Sequence, residues 1–136
     1  VVTNNLTLAR LIADSTTQTY VLGGKIRPAT LSAVGAKTCE DLKELNAVVS
    51  FVGANGFSLA AGVTAFDTDE ALVKKTMMAN SQERILLADS SKFGSTYPAK
   101  FAAFKDFDRI VTNIDVDENF TDAMVSAGVE VALARH

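Results

Sequence analysis

Val48-Val49-Ser50-Phe51-Val52 runs directly into Gly53-Ala54-Asn55-Gly56, then Phe57, Gly62-Val63-Thr64, Asp69-Glu70-Ala71 and Lys74. A short continuous apolar run is the pattern of a strand buried on both faces. The glycine-rich polar segment behind it reads as a loop leaving the sheet. Thr68 to Asn80 then reads as a helix, introduced by Asp67 with Glu70 three residues on, a capping-box spacing with Asp in place of Ser or Thr. A second apolar run, Ile85 to Ala88, follows and ends in Asp89-Ser90-Ser91-Lys92. Strand, loop, helix and strand in that order make a βαβ unit and predict an α/β fold with a mainly parallel open sheet and helices on both faces.

Outward from this centre the same alternation continues. Tyr20 to Leu22, Ile110 to Thr112 and Val129 to Leu133 are further strand runs, and Val1-Val2 reads as the end of another strand. Helical patterns cover Leu6 to Asp14, with Asn4 or Asn5 as N-cap, and Lys37 to Leu45. Glu118 to Ala127 is a fourth, stopped by Gly128. Leu8, Leu11 and Ile12 share one face of the first helix. Lys100 to Phe104 suits either state and is assigned as an extra edge strand.

The 136 residues allow one compact domain with a real core, so residues 1–136 are read as a single domain. Hydrophobic residues make up 48% and charged residues 21%, a globular balance. The net charge of -3 argues against non-specific attraction to nucleic acid phosphates. A single cysteine, Cys39, excludes an internal disulfide and suits a reducing cytoplasm. No apolar run has the length of a membrane span, and no cleavable signal pattern opens the chain. The only histidine is His136, which argues against a histidine dyad or a multi-histidine metal site. No cofactor is expected.

The segments behind the strands are Thr3-Asn4-Asn5, Gly23-Gly24-Lys25, Gly53 to Gly56, Asp89 to Lys92 and Thr112-Asn113. In an open parallel sheet such loops gather at the carboxyl ends of the strands, where ligands bind. Glycines admit a ligand to the backbone, Asn, Ser and Thr offer neutral hydrogen bonds, and helix N-termini favour anions. A small polyol carrying a phosphate suits this rim. Turns need the same residues for their own geometry, and pattern alone weighs the two readings equally.

The ordered set Val49 to Phe57, Gly62-Val63-Thr64, Asp69-Glu70-Ala71, Lys74 and Leu87-Ala88-Asp89-Ser90-Ser91-Lys92-Phe93-Gly94 resembles the C-terminal sensor domain of DeoR-type transcriptional regulators. Val2-Thr3-Asn4-Asn5, Val21-Leu22-Gly23-Gly24 and Ile110-Val111-Thr112-Asn113 extend the resemblance over nearly the whole chain. The resemblance implies a fold related to ribose-5-phosphate isomerase and CoA transferases. It also implies a phosphorylated sugar as effector and an N-terminal winged helix-turn-helix that carries operator binding. Two positions depart from the family: Asn55 and Asn113 stand where Asp is frequent. The family also has a strand and a Gly/Ser/Thr-rich loop ahead of the position of Val1, so the chain is expected to be a fragment without its first strand.

The expected ligand contacts are Thr3, Asn4, Asn5, Gly23, Gly24, Asn55, Gly62, Thr64, Glu70, Lys74 and Lys92. Lys92 follows a buried strand, where an ammonium can meet a phosphate or a hydroxyl. The resemblance places Glu70 and Lys74 beside the sugar. Each has a structural rival: Glu70 closes a capping box, and Glu70 and Lys74 at i, i+4 make a surface ion pair. Asn4 and Asn5 cap a helix, and Gly53, Gly56 and Gly62 mark backbone geometry. Cys39 with Leu42 reads as core. Lys25 and Arg27 read as solvated charges ahead of a phosphate clamp.

Sugar-phosphate isomerisation needs a base beside the carbonyl and groups that steady an enediolate. Related isomerases use a carboxylate-rich turn where this chain has Gly53-Ala54-Asn55-Gly56. The expected function is therefore effector binding without turnover, in a regulator, with a repressor favoured, of carbohydrate metabolism. An isomerase-like enzyme and a non-catalytic interaction module are the alternatives. A phosphoacceptor receiver domain ranks last, because the ends of the early strands lack its acidic cluster. A cytoplasmic homo-oligomer without membrane contact is expected.

Overall fold

In the computed structural model, residues 1–113, 115 and 117–135 are described; His136 lies outside them. The chain divides into two compact units, Val1–Leu45 and Asn46–His136.

In the first unit, β1 (Val2–Thr3) pairs in parallel with β2 (Tyr20–Val21), joined by α1 (Leu6–Ala13). Asn5, not Asn4, caps α1, its carboxamide oxygen accepting the Leu8 N–H at 2.8 Å. Of the predicted apolar stripe of α1, Leu8 and Leu11 are exposed, Leu11 at 73%, and Ile12 is half-buried. The segment read as a Gly-Gly-Lys loop continues into an antiparallel hairpin, β3 (Lys25–Arg27) and β4 (Ser32–Val34). Charged and proline-bearing sequence masked these strands, since a hairpin edge needs no apolar run. α2 (Ala36–Lys43) follows and buries Cys39 and Leu42, as expected of core positions.

The second unit is built on an all-parallel open sheet. Its strands are β5 (Ala47–Gly53), β8 (Ser81–Leu87), β10 (Arg109–Asn113) and β11 (Glu130–Ala134), in the order β11-β10-β8-β5. β5, β10 and β11 match the apolar runs of the sequence to within a residue, whereas β8 begins four residues ahead of Ile85, in Ser81-Gln82-Glu83-Arg84, whose polar side chains hid its first half. β6 (Gly56–Ser58), β7 (Gly62–Ala65) and β9 (Ala99–Ala102) form a separate three-stranded antiparallel sheet with β9 at one edge, the place expected for Lys100 to Phe104. β6 and β7 are too short, and too glycine-rich at their ends, to stand out from a loop by composition.

α3 (Thr68–Ala79) and α4 (Glu118–Ser126) match the predicted helices closely. Asp67 caps α3 by accepting the Glu70 N–H at 3.1 Å. α4 ends with Gly128 N–H on the Val125 carbonyl and Val129 N–H on that of Met124, both at 3.0 Å, the paired bonds of a Schellman motif. Ala71 and Met78 of α3, Phe120 and Met124 of α4, and Val52, Leu86 and Ile110 of the sheet belong to one buried cluster. No helix among the described residues is long and apolar enough to cross a membrane.

Gly62 starts β7 at φ 79°, and a Cβ there would lie 2.7 Å from the Ala102 carbonyl oxygen. Both the left-handed backbone and the close neighbouring strand exclude a side chain. Gly62→Ala is expected to cost about 1–2 kcal/mol or more of unfolding free energy in urea titration. A change within a few tenths would show that neither constraint operates.

Candidate functional site

In the first unit, the register Val2↔Tyr20 and Thr3↔Val21 brings Thr3-Asn4-Asn5 and Gly23-Gly24 to the same carboxyl end of two strands. Their polar atoms also hold the fold. The Thr3 hydroxyl accepts the Asn5 N–H at 3.1 Å, and the Asn4 amide donates to the Ala33 carbonyl at 2.9 Å. The buried Thr38 hydroxyl donates to the Gly23 carbonyl at 2.7 Å and sits 2.1 Å from where a Cβ on Gly24 would fall, so residue 24 has no room for a side chain.

In the second unit, Gly53↔Leu87 and Val111↔Leu87 place the ends of β5, β8 and β10 side by side. Three sequence-predicted residues collect around this edge. Lys74, from the middle of α3, donates its ammonium to the Gly53 carbonyl at 2.9 Å and lies 5.2 Å from the Phe101 ring centroid. Burial pushes the Lys74 ammonium below the usual lysine range, and the negative charge of buried Glu70 partly opposes that shift. Asn55, two residues past Gly53, uses its carboxamide oxygen to accept the Phe66 N–H at 3.0 Å.

The turn behind β8 is a single 3-10 turn, Ser90–Lys92. Asp89 accepts the Ser91 N–H at 2.9 Å and also the Ser91 hydroxyl. These two bonds, hydroxyl first, hold the Asp89 carboxyl below the usual range, and the charge of Lys92 adds to the effect against a small burial penalty. Asn113 at the end of β10 accepts the Ser90 N–H at 2.5 Å and donates to Asp115 at 3.0 Å. Beside it the buried Thr112 hydroxyl has no hydrogen-bond partner among the described residues. Phe93, next to Lys92, anchors the turn among rings, 5.7 Å from Phe57 and 4.9 Å from Phe120 between centroids.

Gly62 and Thr64 serve the antiparallel sheet. The Thr64 hydroxyl donates to the Gly56 carbonyl and accepts the Tyr97 N–H, both at 3.1 Å. Two aromatic residues that the sequence did not single out, Phe66 and Tyr97, stand next to Asn55; isolated rings between polar residues leave no periodic signal. A shallow depression elsewhere in the unit is lined by Lys75, Met78, Ala79, Arg84, Phe101 and Asp106, and none of the predicted site residues lines it.

The fold and this edge define an α/β domain whose parallel strands end in a polar rim carrying ammonium groups. Residues 1–114 match the DeoR C terminal sensor domain, and the chain belongs to that family. It is 29% identical over 130 residues to the HTH-type transcriptional regulator GlpR of Haloferax volcanii, covering 96% of this chain and 51% of that protein. It is 30% identical over 132 residues to the HTH-type transcriptional repressor GlcR of Bacillus subtilis, with the same shares covered. The chain thus spans about half the length of the curated relatives it matches. It is a sensor domain of DeoR-family transcriptional regulators.

Proposed function

We propose that residues 1–136 act as one sensor for a phosphorylated sugar, binding it without turnover, in a cytoplasmic repressor of carbohydrate metabolism. The observation that carries this reading is the Lys74 ammonium, fixed by the Gly53 carbonyl at the carboxyl edge of the sheet with Asn55 two residues on. Lys74 and Lys92 supply charge for a phosphate; Asn55 and Glu70 supply partners for sugar hydroxyls. Asp89 and Asp115 already accept bonds from Ser91 and Asn113, which suits a site that binds more than one that moves protons.

The effector acts by favouring one arrangement of the regulator, and the change is read by an N-terminal helix-turn-helix in a homo-oligomer on operator DNA. A thermal-shift panel of sugars, each with and without phosphate, tests this. A ligand at about 100 times its Kd stabilises the folded state by about 2.7 kcal/mol, so one sugar phosphate should raise the melting temperature while its unphosphorylated sugar does not. Conversion of ribose 5-phosphate to another sugar would identify an enzyme instead. A flat response across the panel would leave an interaction module.

A further inference from the structure

We propose that Phe66 and Tyr97 form an aromatic wall on which the apolar face of the effector's sugar ring stacks, with Asn55 as the hydrogen-bond donor beside it; this rests on the sugar-phosphate reading. Phe66 is 51% exposed, unlike Phe57, Phe101 and Phe104, which are buried in the core. Its neighbours hold it there: Ala65 is buried on β7 and Asp67 is the cap of α3. The ring instead meets Tyr97 edge-on, with centroids 4.3 Å apart and planes at 77°.

The pair is tied to the sheet edge by hydrogen bonds. The Asn55 N–H donates to the Thr64 carbonyl at 3.1 Å, while Thr64 accepts the Tyr97 N–H through its hydroxyl. The Asn55 side chain accepts the Phe66 N–H, and only its oxygen can accept. The carboxamide is thereby oriented, and its NH2 is left as a donor next to the rings. Two residues earlier, Gly53 holds the Lys74 ammonium.

Ring, amide donor and cation in this proximity match a phosphorylated sugar, whose ring has an apolar C–H face, a hydroxyl edge and an anionic group. Inorganic phosphate has no such face and does not engage the wall. An Asp at position 55 would keep the bond to Phe66 but turn the donor into an acceptor.

The chain contains no tryptophan and two tyrosines, Tyr20 and Tyr97. Tyr20→Phe makes Tyr97 the sole tyrosine emitter. Glucose 6-phosphate, fructose 1-phosphate, ribose 5-phosphate and inorganic phosphate are titrated into this variant by emission and by calorimetry. The sugar phosphate that binds is expected to change Tyr97 emission with the calorimetric midpoint, and inorganic phosphate is not. Phe66→Ala, at an exposed position that leaves the fold intact by circular dichroism, should weaken that sugar phosphate about tenfold, and Phe66→Tyr should restore it. Calorimetric binding with silent Tyr97 emission and unchanged affinity in Phe66→Ala would refute the wall and leave the sugar-phosphate reading standing. No heat with any of the three sugar phosphates would remove that reading and the wall together.

Discussion

Phe57→Ala is expected to remove about 3–5 kcal/mol of stability, a large share of the whole for a domain of this size. Phe57 is fully buried, and its ring centroid lies 5.7, 6.2 and 5.3 Å from those of Phe93, Phe104 and Phe120. Alanine leaves a void bounded by three rings that sit on different elements and cannot all close on it. The loss also reaches the rim, because the Phe57 ring packs against Phe93 at the end of the Lys92 turn. Urea titration measures the first effect. A loss under about 1 kcal/mol would mean that the surrounding rings repack freely.

Lys74→Met is expected to weaken the sugar phosphate about 10- to 100-fold, the range for losing a charge-assisted hydrogen bond. The fold should tolerate it, because methionine keeps an apolar stem against Phe101 and removes a charge that burial disfavours. The pH dependence has two opposite signs. In the free protein Lys74 loses its proton below the ordinary 10.5, so the unfolded chain binds more protons in that window and stability rises with pH. Ligand binding needs the ammonium, so affinity should fall as pH rises towards 10.5, starting earlier than an ordinary lysine would dictate. The phosphate stays dianionic above about pH 7 and adds no slope of its own. Calorimetry across this range, with Lys74→Arg holding its affinity, checks the assignment. Wild-type affinity in Lys74→Met would sink it.

Much of the second unit was legible in the sequence for one physical reason. Strands of a parallel sheet favour continuous apolar runs, and Val48 to Val52, Ile85 to Ala88 and Ile110 to Thr112 supply them, although the expected burial on both faces is not met in β5, where Val48 is 72% and Phe51 55% exposed. Helix ends were equally readable, because Asn5, Asp67 and Gly128 act through local backbone chemistry. The β3–β4 hairpin and β6–β7 were not, since short antiparallel strands draw on neighbours distant in sequence and resemble turns in composition. At the rim, the spacing of Glu70 and Lys74 was visible, but not that Lys74 would hold a strand-end carbonyl. The structural bonds of Asn4 and Thr64 were invisible for the same reason: their partners, Ala33 and Tyr97, lie about thirty positions away in the chain. Phe66 and Tyr97 became noticeable only when 31 positions of separation had been folded into one contact.

The turn that carries Lys92 is joined to α4 through the rings of Phe93 and Phe120. The charge on the turn and the rings behind it therefore answer differently to dissolved salt. Contact between an ammonium and a phosphate is screened by dissolved ions. Close-packed rings are indifferent to screening, and displacing one presses directly on the next. On the proposed reading, raising ionic strength would weaken phosphate binding at Lys92 while leaving the ring contact between the turn and α4 unchanged.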